Sequence, residues 1–143
     1  KFFFFFFEPR HRKVKSLSEV QTHFEKEPVM NLTGKHYGIL LATLATALLH
    51  LSLFPRLGPD PIALNGLGYL ALLGAYFLPI PFFQQRHNLV WWALLGYTVL
   101  TFILWVIMGD KTFTFDFSNA AIGYYAKTAE LFLMGFLLAD RPK

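Results

Sequence analysis

The sequence predicts an all-α integral membrane protein, a four-helix bundle whose spans run up, down, up and down. Hydrophobic residues make up 55% of the 143-residue chain and charged residues only 15%, whereas about a quarter of the residues in a soluble domain are charged. Four long apolar runs follow one another, joined by short polar or proline-containing segments. A surface helix of a soluble protein has a polar face. These runs are apolar almost all round, so we expect them to face lipid.

The chain divides into two parts of different composition. We expect residues 1–33 to form a polar, disordered N-terminal tail and residues 34–143 to form a domain of four transmembrane helices. The phenylalanine run that opens the tail precedes most of its basic residues, which is the reverse of the order in a secretory signal. Because phenylalanine codons are rich in T, one interpretation is that upstream sequence has been translated and that Met30 is the true start. The other is a genuine tail that touches the membrane weakly.

The first two spans lie on either side of a turn rich in proline and glycine. The first is predicted at residues 37–54, where a helix is about 27 Å long, close to the thickness of a hydrocarbon core. Pro55 is expected to end it. The second is predicted at residues 62–83, and Pro79 and Pro81 are expected to kink or end its helix near the interface.

The third span is predicted at residues 89–108, after a tight polar turn at residues 84–88. Tryptophans stand near both of its ends, as in the aromatic belts of membrane interfaces. The loop at residues 109–119 alternates phenylalanine with polar residues, so it is either a short strand or an interfacial loop. The fourth span is predicted at residues 120–139.

The distribution of basic residues predicts the orientation. Lysine and arginine are enriched in cytoplasmic loops close to the span ends. With the N-terminus inside, more of them lie on the inner side than on the outer side: Lys35, Arg86, Arg141 and Lys143 against Arg56 and Lys111. We therefore expect a multi-pass protein of the prokaryotic cytoplasmic membrane with both termini in the cytoplasm.

Five polar residues are predicted to form an intramembrane cluster, and they are His50, Asn65, Thr101, Lys127 and Glu130. Ionisable side chains inside a membrane are costly, so each marks a functional hypothesis. Lys127 and Glu130 are three residues apart and share a helix face. In the predicted topology Glu130 is about 15 Å deep and Lys127 about 10 Å deep, and all five residues lie in the outer half of the bundle.

The spacing also predicts how this cluster is arranged. Small residues recur every four positions along the first span and lead to His50, so this face is expected to pack closely against other helices. His50 and Glu130 should both point inward, with Lys127 beside Glu130. Because His50 and Asn65 lie nearer the surface than Glu130, they are expected to contact Lys127 rather than Glu130 itself.

Several kinds of chemistry are not predicted. The chain has no cysteine, which excludes disulfides, thiolate metal sites and cysteine nucleophiles. One buried histidine and one buried glutamate do not make a zinc site, and His36 and His87 lie too far from His50 for a bis-histidine haem site. The sequence contains no nucleophile–base pair and no phosphate-binding loop. We therefore predict no catalytic residues, no metal, no cofactor and no nucleic-acid partner.

Three functions remain open for the cluster. It can act as structural glue in a non-enzymatic structural or accessory membrane subunit, which is the leading hypothesis. It can handle protons or ions in a small transporter or channel element, with Glu130 as the titrating carboxylate. It can bind a lipid-like or quinone-like molecule. The predicted partners are the lipid bilayer and, beyond it, other membrane subunits or a second copy of the chain.

Four stretches carry a resemblance to known proteins: GKHYGILLATLATALLHLSLF, NGLGYLALLGAYFLP, GYTVLTFILWV and IGYYAKTAELFLMGFLL. In this layout the chain resembles small, uncharacterised four-span prokaryotic membrane proteins, including haloarchaeal ones. Those have a similar His-Leu near the end of their first helix and a Lys-x-x-Glu in their last. The resemblance covers residues 34–139 and implies no known activity. It singles out His50, Lys127 and Glu130.

Overall fold

The computed structural model describes residues 32–142, and within them every regular element is a helix. The prediction of an all-α fold is confirmed for this part of the chain. The expectations about the N-terminal tail and about Met30 lie outside the described residues. The helices are α1 (Gly34–Leu51), α2 (Phe54–Leu57), α3 (Pro61–Phe77), α4 (Pro81–Gln85), α5 (His87–Met108) and α6 (Asn119–Ala139).

The first residues of α3 and α6 carry conventional start signals. The Asp60 carboxylate accepts a hydrogen bond from the Ile62 backbone N–H at 2.8 Å, and Pro61 occupies the first turn of α3. The Ser118 hydroxyl accepts from the Ala121 backbone N–H at 3.2 Å. Such caps satisfy amide groups that have no partner inside the helix. They fix where both helices begin, next to the polar cluster.

The second apolar run, predicted to extend to residue 83, is one helix only as far as Phe77 and is interrupted at Pro79 and Pro81, where a kink or an end was expected. The backbone on both sides of Pro79 shows how the prolines act. Leu78 and Ile80 each precede a proline and both have extended backbone angles, with ψ of 136° and 120°. A residue before proline is pushed out of the helical region by the proline ring. The chain then resumes as the short helix α4.

The polar turn predicted at residues 84–88 is present but is shorter than expected. Gln84 and Gln85 belong to α4, His87 already starts α5, and Arg86 alone separates the two helices. Five polar side chains in a row suggested a longer loop. They are accommodated instead on exposed or partly exposed helix ends.

The other two connections also differ in detail from the sequence prediction. The first long helix ends at Leu51, and Pro55 falls in the first turn of α2, where proline is tolerated. The loop from 109 to 118 contains no strand. Its turns are held by the carboxylates of Asp110 and Asp116. The backbone N–H of Thr112 lowers the pKa of Asp110 by hydrogen bonding.

The four long helices pack in a ring, with α1 against α3 and α6, and α5 against α3 and α6. Consecutive long helices run in opposite directions. At one end, called here the Asp140 end, Lys35 at the start of α1 meets Asp140 after α6. At the other, called the Arg56 end, the Arg56 guanidinium donates to the Phe117 carbonyl and to Asn119 Oδ1.

Two glycines allow close helix contacts. A Cβ at Gly66 would lie 2.5 Å from the Ala47 carbonyl oxygen and 2.7 Å from Leu51 Cγ, so α3 approaches the α1 backbone directly. A Cβ at Gly38 would lie 2.6 Å from the Phe136 ring, which packs α1 against α6. The contact at Gly66 brings the last turns of α1 close to α3, and the contact at Gly38 holds the first turns of α1 against α6.

A separate set of polar contacts around Asp140 joins α1, α3 and the end of α6 at the Asp140 end. The Asp140 carboxylate accepts from Lys35 Nζ at 2.9 Å and from the Tyr76 hydroxyl at 2.7 Å, and His36 Nε2 lies at 3.4 Å. Burial raises the pKa of Asp140, but the hydrogen bonds from Lys35 and Tyr76 and the nearby positive charges outweigh it. The net pKa lies below the ordinary value of 3.8.

The outer surface of the ring is rich in large apolar side chains. Exposed examples occur on all four long helices, and they include Leu41, Leu67, Leu89, Ile107, Leu131 and Phe132. Within residues 32–142, two segments are long and apolar enough to cross a membrane, Gly34–Leu57 with 24 residues and His87–Met108 with 22. The helix Pro61–Phe77 is apolar but has only 17 residues.

Candidate functional site

Glu130 is the centre of a buried polar network. Its side chain is 0% exposed, in the middle of α6. Thr46 Oγ1 on α1 donates to Glu130 Oε1 at 3.3 Å, and Thr101 Oγ1 on α5 lies 3.3 Å from Oε2. Both oxygens therefore face donors from neighbouring helices, as a buried carboxylate requires. The carboxylate links α1, α5 and α6.

Lys127 provides the counter-charge from one turn earlier on α6. Its ammonium lies 2.7 Å from each Glu130 oxygen and 3.1 Å from the Thr101 carbonyl oxygen. An ammonium has three hydrogens, and these three contacts use all of them. The Lys127 ammonium therefore has no hydrogen left for another acceptor, and the combined formal charge of Lys127 and Glu130 is zero.

His50 reaches the same network from the last turn of α1. Its Nε2 lies 3.1 Å from Asn65 Nδ2 on α3 and 3.4 Å from Glu130 Oε1. The Tyr97 hydroxyl donates to Asn65 Oδ1, which leaves the Asn65 amide nitrogen toward the histidine. In this arrangement Nε2 is an acceptor, so a neutral ring carries its hydrogen on Nδ1. Among the described residues, Nδ1 has no hydrogen-bond partner.

Tyr69 and Thr101 complete the network between α3 and α5. The Tyr69 hydroxyl lies 2.7 Å from Thr101 Oγ1, and the Tyr69 ring stacks on the His50 ring with centroids 6.1 Å apart. The Tyr97 ring in turn meets the Tyr69 ring edge to face at 5.0 Å. These aromatic contacts restrict the orientation of the histidine.

All five residues of the predicted cluster thus lie in one connected network. The expected position of His50 differs in one respect: its Nε2 lies beside Glu130, whereas the sequence argument expected contact with Lys127. The prediction compared only the depths of the two residues along their helix axes. Side chains tilt toward the N-terminus of their helix, and α1 and α6 run in opposite directions, so the His50 and Glu130 side chains extend toward each other.

Sequence reasoning missed several members of the network. Tyr69 lies one turn from Asn65, and Tyr97 lies one turn from Thr101. Thr46 lies one turn before His50 on the small-residue face of the first span, and the spacing did not predict that it donates to Glu130. A usable signal existed, because hydroxyl-bearing residues four positions from a buried polar residue share its helix face.

A pocket of about 280 Å³ lies beside this network at the Arg56 end and is partly open. It is formed by the end of α1, the start of α3, the end of α5 and the start of α6. Its walls are mainly apolar, and its polar contacts come from four residues of the network. The lining consists of His50, Pro61, Ile62, Asn65, Thr101, Leu104, Trp105, Met108, Gly109 and Lys127. Glu130 does not line it.

The arrangement favours binding over reaction chemistry. A mainly apolar cavity with a few convergent polar groups is the usual form of a small-molecule site. No group of three or more histidine, aspartate or glutamate side chains suited to a metal occurs within residues 32–142. The carboxylate of Glu130 is covered by its donors and does not face the pocket.

No protein-family model, no curated protein and no solved structure matches the chain. The resemblance to small four-span prokaryotic membrane proteins stays a prediction. The properties of the site therefore rest on its geometry.

Proposed function

We propose that the chain is a four-span protein of the prokaryotic cytoplasmic membrane, with both termini in the cytoplasm. Its ring of helices has large apolar side chains outside and an ion pair inside, which is the distribution suited to lipid. The 17-residue length of α3 gives a helix of about 26 Å, a little shorter than an average hydrocarbon core. The exposed apolar helix α4 would lie at the inner interface.

Within the membrane we propose a non-enzymatic binding role, in which the pocket at the Arg56 end holds a small, largely apolar molecule. The pocket itself supports this proposal, because its apolar walls converge on four polar residues. In the proposed orientation its mouth lies near the outer interface. Exposed Ile62 and Met108 stand at the rim, so a lipid-soluble molecule can enter from the bilayer.

The buried ion pair has a structural role in this proposal. Lys127 and Glu130 join three helices. They thereby hold in place the polar floor of the pocket, which is the name used here for its polar lining residues His50, Asn65, Thr101 and Lys127. Transport through a titrating Glu130 is a weaker proposal, because the carboxylate is fully buried and Lys127 stands between it and the pocket. A structural or accessory subunit remains compatible with ligand binding.

The test is to identify what accompanies the protein after mild solubilisation. Wild-type protein and the variant Ile62→Trp would be purified in parallel, and bound small molecules would be measured by mass spectrometry. Indole bulk at Ile62 should fill the pocket and reduce the amount of bound apolar molecule. Ile103→Trp is the matched control, because Ile103 is exposed on α5 and does not line the pocket. Equal recovery from all three proteins would refute pocket binding.

A further inference from the structure

The hydrogen bonds around the pocket define the chemistry of its ligand. We propose that the ligand is a neutral, largely apolar molecule that presents a carbonyl-type oxygen to Asn65 and His50. This inference rests on the proposed binding role of the pocket and specifies which molecules fit it. Charge and hydrogen-bond capacity are the two observations that carry it.

The charge of the floor excludes ions. Among the described residues, Lys127 is the one lysine or arginine that lines the pocket. Its three hydrogens already point to Glu130 Oε1, Glu130 Oε2 and the Thr101 carbonyl. An anion would have to displace one of these bonds and would lie close to the Glu130 carboxylate. A cation would meet the Lys127 ammonium. In both cases a charge would leave water without a free counter-charge.

Two hydrogen-bond donors beside the pocket are unused within residues 32–142. Asn65 has two amide hydrogens, and within the described residues its Nδ2 contacts only the His50 ring. One amide hydrogen therefore remains available, on a side chain that is partly exposed and lines the pocket. The second available donor is His50 Nδ1, which is shielded and has no hydrogen-bond partner among the described residues. A small rotation of the ring would bring it to an acceptor bound at Asn65.

The Thr101 hydroxyl, which also lines the pocket, already has three polar neighbours. Thr101 Oγ1 lies within hydrogen-bond distance of Tyr69, the Thr98 carbonyl and Glu130. A ligand donor group would have to approach Thr101 Oγ1 between these three neighbours and beside the Tyr69 hydroxyl, which can already donate to it. An oxygen with lone pairs and no hydrogen, as in a ketone, a quinone or an ester, matches the two free donors. The apolar remainder of the molecule would lie along Leu104, Trp105 and Met108.

A matched set of small probes tests this chemistry on the purified full chain in detergent micelles. Benzophenone carries the ketone, diphenylmethane replaces it by a methylene, diphenylacetate is an anion and benzhydrylamine is a cation. Affinity would be measured by calorimetry. Benzophenone should bind about tenfold more tightly than diphenylmethane, which is the value of one good hydrogen bond. Ultraviolet cross-linking of bound benzophenone should label residues of the pocket.

Two variants locate the source of the preference. Asn65→Leu removes the amide donor, and His50→Phe keeps a ring against Tyr69 but removes its nitrogen. In each variant the preference for the ketone should fall toward onefold while diphenylmethane still binds. The wild-type comparison alone decides the matter if either variant fails to fold. A short-chain naphthoquinone and a short-chain diacylglycerol would then distinguish a quinone from a lipid ester as the source of the carbonyl.

The possible failures are distinct. Equal affinity for ketone and hydrocarbon, or tightest binding of the anion or the cation, would overturn the inferred chemistry and leave the pocket as a binding site. Absence of binding by all four probes, or cross-links confined to the outer surface of the helices, would overturn the proposed binding role as well.

Discussion

Replacing Lys127 by methionine should destabilise the bundle more than removing both charges of the ion pair. Methionine keeps most of the length of the side chain but loses the two 2.7 Å contacts with Glu130. The carboxylate would then be left at 0% exposure with two hydroxyl donors at 3.3 Å as its remaining hydrogen-bond partners. Stranding one partner of a buried pair costs about 3–5 kcal/mol. In the double variant with Glu130→Gln no charge remains, and we expect a loss of about 1–2 kcal/mol from the changed hydrogen bonds.

The free energies of unfolding can be measured by titration with a denaturing detergent, followed by tryptophan fluorescence. The series comprises wild type, Lys127→Met, Glu130→Gln and the double variant, which together form a double-mutant cycle. Thr128→Met is the control for placing methionine in α6, because Thr128 is the exposed neighbour of Lys127. It should change stability by less than about 0.5 kcal/mol. If the double variant is no more stable than Lys127→Met, the idea of a stranded carboxylate is wrong.

Three further predictions concern packing, acid stability and topology. Gly66→Ala should lower the free energy of unfolding by about 1–3 kcal/mol, because its Cβ would meet the α1 backbone at 2.5 Å. Gly96→Ala is the control and should raise the free energy of unfolding by about 0.5–1 kcal/mol, because a Cβ at Gly96 would have nothing within 4 Å. Equal effects of the two substitutions would contradict the close contact at Gly66. Asp140→Asn should destabilise the protein at neutral pH. Because the pKa of Asp140 in the folded protein is below 3.8, the difference in stability from wild type should vanish in acid unfolding curves as the pH falls through that folded pKa. A difference that persists in strong acid would show that the charge of Asp140 is not its cause. In intact cells, Thr112→Cys should react with an impermeant maleimide and Gln85→Cys only after permeabilisation, and the reverse pattern would invert the topology.

The existence and type of the long helices could be predicted from the sequence because they depend on local apolar composition. Their ends were predicted less well where two tendencies compete. The second run is apolar through residue 83, yet its helix ends at Phe77, because the backbone restriction before Pro79 outweighs the apolar character of the side chains. At residues 84–88 the polar side chains predicted a turn longer than the one observed, because all of them except Arg86 belong to the ends of the two adjoining helices.

The members of the candidate site could be predicted in part, because an ionisable residue inside an apolar run is visible without a structure. Their partners could not. Whether His50 meets Lys127 or Glu130 depends on side-chain direction and helix rotation, which sequence spacing does not define. The pocket was beyond prediction for a similar reason, since its volume depends on how Leu104, Trp105 and Met108 pack against the start of α3.

Lys127 connects the structural network with the pocket, and this connection leads to a last prediction. The floor is neutral because Glu130 occupies two hydrogens of the Lys127 ammonium, although Lys127 itself lines the pocket. Glu130→Gln keeps the shape of the side chain and removes its negative charge, so the ammonium would then be available to an anion. The variant should bind diphenylacetate about tenfold or more tightly than wild type does, since hydrogen bonds to charged groups contribute about 1.5–3 kcal/mol. Lys127→Met combined with Glu130→Gln is the control and should show no such gain. Unchanged affinity for the anion in Glu130→Gln would mean that the ion pair does not set the charge preference of the pocket.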